Sequence, residues 1–166
     1  MKATGTPGLE QAMEFSDLIK PAAVKVAGSY SSKKRLFVDL GQTAFESYGL
    51  DAETVTSALL EREALGPTGV GHGIALPHAR IDGLEDIVGM FVRAEKATEF
   101  SAVDKQPVDL IFCLLAPHRA GVEHLKALAL VSRTMRNPDF CAKLRSNSDP
   151  ATLHAIFIEN RESKAA

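Results

Sequence analysis

Two stretches of this chain contain almost nothing but apolar residues: Ile87–Val92 (IVGMFV) and Val108–Leu115 (VDLIFCLL). A strand with one wet face alternates apolar and polar residues, so an unbroken apolar run of this length describes a strand covered on both faces. Both runs are too short for an ordinary buried helix. A sheet covered on both sides needs helices over it, and the flanking sequence supplies them.

Before the runs, Ser31 or Ser32 caps a helix expected over 32–47, with Leu36, Phe37, Leu40, Ala44 and Tyr48 at helical spacing. Gly49 ends it as a left-handed residue. Asp51 opens a second helix with Val55, Leu59 and Leu60 as its apolar face, which stops near Leu65 at Gly66-Pro67. Val24–Ala27, after Pro21, reads as a further short strand. After the runs, a helix over Val122–Arg136 carries Leu125, Leu128, Ala129, Leu130 and Val131. Asn137-Pro138 and Asp149-Pro150 each pair an N-cap with proline at the first helical position, and open helices through Leu144 and Ile158. Helices, then strands, then helices give a single-domain α/β sandwich.

With 166 residues the chain suits one domain, expected over 15–160, with a loose leader over 1–14 and a frayed end over 161–166. The net charge of −2 gives no electrostatic case for nucleic acid, and Lys33-Lys34-Arg35 reads as a solvated helix start. No run approaches the ~18 apolar residues of a membrane span, and the N-terminus has no apolar secretory core, so a cytoplasmic protein without membrane insertion is expected. Cys113 and Cys141 sit in apolar surroundings and read as buried small hydrophobes.

The chemistry concentrates in Gly66–Arg80 (GPTGVGHGIALPHAR). Pro77 fixes its own φ and biases Leu76 toward extended backbone, so the approach to His78 has little freedom. Gly66, Gly69, Gly71 and Gly73 allow backbone N–H groups to approach an anion closely. A neutral imidazole is a competent nucleophile near neutral pH. Arg62, at the end of the second helix, offers a guanidinium fork for phosphate oxygens. His124, in isolation, reads as a polar residue in the first turn of an amphipathic helix. His72, His118 and His154 complete the histidines. The equal spacing of His72 to His78 and His118 to His124 raises a histidine-cluster metal site, although it is not a usual ligand spacing on a helix or strand. No nucleotide-binding loop and no nucleophile elbow is present.

Leu60-Glu61-Arg62-Glu63, GPTGVGHG over Gly66–Gly73 and IALPHA over Ile74–Ala79 resemble the active-site block of phosphotransferase-system (PTS) enzyme IIA domains of the fructose/mannitol class, or EIIA type 2. Val108–Phe112 after Gln106-Pro107, and Glu123-His124-Leu125, fall where that family places them, and the match runs from about Phe15 to Ile158. Within the class the chain is most similar to the nitrogen-regulatory IIA (IIA-Ntr) branch. The resemblance implies a central mixed sheet flanked by helices, no cofactor, and phosphorylation of His78 by an HPr-like phosphohistidine carrier (NPr in this branch). It implies that Arg62 and His124 assist, that Thr68 supplies a loop hydroxyl beside Gly69, Gly71 and Gly73, and that Val70, Ile74 and Ala75 form a rim for the carrier. His72 departs from the pattern, where asparagine or another small polar residue is expected, and is a candidate modulator. Two outputs remain open. One is a regulatory switch acting on potassium transport systems or sensor kinases. The other is onward transfer to a IIB component for sugar uptake.

Overall fold

A computed structural model describes residues 12–160. The expected leader over 1–14 falls mostly, and the end over 161–166 entirely, outside the described residues. Six strands form one mixed sheet: β1 (Val24–Ala27), β2 (Gly69–Gly71), β3 (Ile74–Ala75), β4 (His78–Arg80), β5 (Val88–Thr98) and β6 (Val108–Ala116). Their order is β1-β5-β6-β3-β2, with β4 also on β6. Five helices flank it: α1 (Lys33–Tyr48), α2 (Ala52–Ala64), α3 (Gly121–Met135), α4 (Pro138–Arg145) and α5 (Pro150–Ile158).

The two apolar runs are the heart of the sheet. β5 and β6 pair antiparallel, with Met90 opposite Cys113, Phe91 opposite Phe112 and Val92 opposite Ile111. Every β6 residue from Leu110 to Ala116 is buried, as a strand covered on both faces must be. Phe157 of α5 packs its ring on Phe91, Phe112 and Phe15, and on Phe140 of α4. Both cysteines are buried. β5 continues to Thr98, well beyond the apolar run, because β1 runs parallel beside it as far as Ala94 and Lys96 donates its N–H to Gly28.

The helix starts follow the caps. The side chains of Ser32, Asp51, Asn137 and Asp149 accept from backbone N–H groups of Arg35, Thr54, Asp139 and Thr152. Gly49 leaves α1 at φ 72°. Helices α1 and α2 approach closely at Gly41, where a Cβ would stand 2.6 Å from the Ala52 carbonyl oxygen and closer still to Thr56 Oγ1. The inward face of α3 is His124, Ala127, Leu130, Val131, Thr134 and Met135, while Leu125 is 68% exposed. The helix phase is set by packing against the sheet and brings His124 inside.

The glycine-rich segment is a hairpin. β2 and β3 pair antiparallel around His72-Gly73, both at positive φ (59° and 79°), as in a type I′ turn. Histidine, like asparagine, is among the non-glycine residues that enter that region more often than most. Gly73 also lies against Arg145, whose guanidinium forks Asp109 through Nε and Nη2 at 2.9 and 2.8 Å. After β3 the chain keeps its parallel register with β6 across Leu76-Pro77, and Pro77 accepts from the Leu114 N–H. His78 therefore opens β4, the next segment along the same line.

Candidate functional site

One open pocket of about 400 Å³ gathers residues from three elements: Arg62 and Leu65 at the end of α2, His78 and Arg80 on β4, and His124 on α3. Glu61, Ala58 and Ala79 complete its wall. Of the side chains singled out in the sequence, Arg62, His78 and His124 meet here although they are separated by up to 62 positions (124 − 62 = 62).

His78 is held by its own backbone. Its Nδ1 lies 2.9 Å from the Leu76 carbonyl oxygen. A carbonyl only accepts, so Nδ1 carries the proton and Nε2 keeps the lone pair. The His124 ring stands 5.8 Å away, centroid to centroid, with the planes at 70°. His124 is 7% exposed, and its Nε2 is buried without a hydrogen-bond partner. Leaving such an atom unsatisfied costs about 1–3 kcal/mol, a cost usually retained where a ligand completes the bond. Burial, with the Arg80 cation and the His78 ring behind it, holds His124 below the usual imidazole range. It is thus a neutral ring over a wider span of pH.

Arg62 turns back on its own helix end, with Nη1 donating to the Gly66 carbonyl at 3.0 Å. The turn it braces is fixed from the other side by Glu63. That carboxylate accepts from Thr68 N and Oγ1 and pairs with Lys33 Nζ at 2.8 Å, and it is only 6% exposed. Arg80 was not visible as a candidate in the sequence. The two-residue period of a strand, applied to His78, would have found it.

The remaining candidates lie elsewhere. Thr68, Gly69, Gly71 and Gly73 do not line the pocket; Thr68 is buried against Glu63, and the three glycines belong to the hairpin. Ile74 and Ala75 were expected on an exposed rim but are buried in the core as strand residues. Val70 is 50% exposed on the edge strand. The exposed apolar side chain on the pocket wall is instead Leu65; Val122 and Leu125 are exposed on α3 but do not line it. His72 is exposed; its N–H donates to Asp104 and its carbonyl accepts from Arg145. His118 pairs with Asp82, and His154 Nε2 meets the Ile19 carbonyl. Among the described residues no three His, Cys, Asp or Glu side chains converge as a metal ion would require. No described helix is long and apolar enough to cross a membrane.

The family model for the phosphoenolpyruvate-dependent sugar phosphotransferase system, EIIA 2, matches residues 17–160. The chain belongs to the PTS EIIA type 2 family. It is 42% identical over 145 residues to a nitrogen regulatory protein of Bradyrhizobium diazoefficiens, covering 87% of this chain and 95% of that one. It is 33% identical over 147 residues to a fructose-specific EIIA component of the PTS in Haloferax volcanii, covering 89% and 91%. The crystal structure of nitrogen regulatory protein IIA-Ntr from Neisseria meningitidis superposes with a TM-score of 0.78 at 34% identity, covering 84% of this chain and 96% of that one. This EIIA type 2 chain is therefore a IIA-type phosphocarrier domain similar to the IIA-Ntr proteins, and the pocket around His78 is the candidate seat of its phosphate chemistry.

Proposed function

We propose that this chain accepts a phosphoryl group on His78 Nε2 from the phosphohistidine of an HPr-like carrier, NPr in the nitrogen branch, and that its phosphorylation state sets which regulatory proteins it binds. The observation that supports this most directly is the proton on Nδ1. Because Leu76 takes that N–H, Nε2 is the nitrogen with an available electron pair, beside a second, neutral histidine with an unpartnered nitrogen.

The transfer balances without a co-reactant. The donor's P–N bond breaks and its electron pair returns to the donor nitrogen. The Nε2 pair of His78 forms the new N–P bond, and the proton stays on Nδ1, whose hydrogen bond to the Leu76 carbonyl stabilises the ring as it becomes cationic. Such transfers pass through a loose transition state, so the protein contributes alignment and charge stabilisation. Alignment comes from β4, hydrogen-bonded to the centre of the sheet. Arg62 supplies positive charge, and His124, as a neutral ring, supplies an Nε2–H for a phosphoryl oxygen. Leu65 offers the carrier an apolar contact at the pocket wall, with exposed Val122 and Leu125 on α3, suited to a short-lived encounter.

Phosphorylation adds about −1.5 to −2 charge at the pocket, which changes what a partner meets there. Targets of the potassium-transport or sensor-kinase type fit such a switch. The 33% identity to a fructose-specific EIIA component favours a second reading, in which the phosphate passes on to a IIB component.

Incubation with a phosphorylated HPr-type donor, followed by mass mapping of acid-labile phosphate, tests the proposal. One phosphate on the peptide containing His78, absent from His78→Ala, is the expected result; label retained in that variant would sink it. Phosphorylated chain that loses its label to a IIB domain supports the transport reading, whereas label retained before IIB supports the switch.

A further inference from the structure

We propose that Arg80 is a second phosphate-binding guanidinium of this pocket, held in place by the loop that precedes α3. The inference rests on the reading of His78 as the phosphate acceptor, and it concerns a residue that this reading does not use.

Arg80 shares a strand face with His78. Residues two apart on a strand are about 6.6 Å apart, well within the reach of an arginine side chain. The Arg80 and His78 side chains both line the pocket. The Arg80 guanidinium does not swing freely: Nη1 donates to the carbonyls of Pro117 and His118 at 3.2 and 3.1 Å. One nitrogen therefore fixes the group, and among the described residues Nε and Nη2 have no protein acceptor. Arg62 is built the same way, with Nη1 on the Gly66 carbonyl. Each guanidinium is anchored by neutral backbone oxygens, which leaves its charge uncompensated.

Two uncompensated guanidinium groups on one pocket of about 400 Å³ repel each other unless an anion lies between them. Among the described residues no carboxylate pairs with either. Glu61, the carboxylate on the pocket wall, forms no hydrogen bond or ion pair with Arg62 or Arg80. The chain as a whole is slightly acidic, so the local excess is not a reflection of composition. A dianionic phosphoryl group on Nε2, with three oxygens to share among Arg62, Arg80 and His124, satisfies the arrangement. Arg80 also bears on His124, whose depressed pKa owes part of its shift to that cation.

The test uses Arg80→Gln and Arg80→Lys in the full chain, labelled by two donors: the phosphorylated HPr-type carrier, and phosphoramidate, a small donor whose P–N bond breaks to release ammonia. Arg80→Gln should be labelled about ten- to a hundredfold more slowly by both donors, and Arg80→Lys should recover part of the rate. Nuclear magnetic resonance of the ring protons supplies a readout that mere structural support would not move. The His124 midpoint should rise in Arg80→Gln, while the groups that remain around it, Arg62 and Glu61 on α2 and His78 on β4, are unchanged. Inorganic phosphate should shift the His78 and His124 resonances with at least about tenfold weaker apparent affinity in Arg80→Gln. Wild-type rates with phosphoramidate, or a deficit confined to the carrier, overturn the proposal in favour of a docking role. If the wild-type chain takes no covalent phosphate, the reading of His78 fails, and the phosphate titration alone decides Arg80: equal affinity in wild type and Arg80→Gln refutes it. Should Arg80→Gln fail to fold, the same comparisons are made with Arg80→Lys, whose ammonium cannot fork two oxygens.

Discussion

Gly41→Ala places a single methyl group where α1 lies hard against the start of α2. On an exposed helix surface this change stabilises by about 1 kcal/mol, because alanine is the better helix former. Here the new Cβ would lie 2.6 Å from the backbone oxygen of Ala52, the first residue of α2. It would also displace Thr56 Oγ1, which donates to the Phe37 carbonyl at 3.3 Å and ties the two helices together. The hydroxyl can rotate away, but the carbonyl moves only if α2 moves. Overpacking of this kind costs about 1–3 kcal/mol and here also forfeits the Thr56 hydrogen bond, worth about 1 kcal/mol. Against the propensity gain, the net loss is about 1–3 kcal/mol, or a melting temperature lower by roughly 2–12 °C for a chain of this size. Gly121→Ala is the matched control, since a Cβ there meets nothing within 4 Å, and its melting point should stay level or rise. Thermal unfolding by circular dichroism reads both. A Gly41→Ala protein that melts at or above the wild type would refute the claim that this glycine is required by close approach.

Phe157→Ala removes the ring shared by four other phenylalanines at a fully buried position and should cost about 3–5 kcal/mol in urea unfolding; a loss under about 1 kcal/mol would contradict the packing described. Glu63→Gln weakens the bridge between Lys33 and Thr68 and should cost about 1–3 kcal/mol while slowing label transfer to His78 through the displaced Arg62; unchanged stability and rate together would count against it. His124 carries a folded-state pKa below its unfolded value, so its contribution to stability is present above about pH 6.5 and is lost as pH falls through the lowered folded midpoint. Denaturation of wild type and His124→Gln between pH 7.5 and pH 5, both values chosen to bracket the ~6.5 reference, should therefore show the gap between them shifting in favour of the variant toward acid; a gap independent of pH would exclude this linkage.

Local chemistry was the legible part of the fold. Ser32, Asp51, Asn137 and Asp149 act within three residues of themselves, so the helix starts they cap could be read from neighbours alone. The apolar runs betrayed β5 and β6 because burial on both faces leaves no polar alternation to hide behind. The far half of β5 was not legible: Arg93 and Ala94 are strand because β1, 67 positions earlier, lies beside them (93 − 26 = 67), and Thr98 because it pairs with Val108 of β6. The phase of α3 was equally hidden. Leucines at 125 and 128 suggest one face, whereas contact with the sheet selects Ala127, Val131 and Thr134 and carries His124 inward. Glycines at 69, 71 and 73 resembled an anion cradle because composition does not distinguish a cradle from a tight hairpin; the pairing with β3 does. Arg62 and His78 were readable as a site because they flank one short segment. His124 needed the family pattern, and Arg80 needed the strand.

The unbroken register from β3 into β4 has a consequence for speed. His78 is fastened to the innermost strand of the sheet, so under the function proposed above its accepting nitrogen keeps one heading in every encounter. The entropy of aiming that group is lost once, when the chain folds, and not again at each collision. A visiting protein then needs to hold on only long enough for the phosphorus to cross. Tight binding would delay its departure without improving the aim. On that proposal, a nucleophile mounted on a fixed beam lets a relay run on weak, brief contacts.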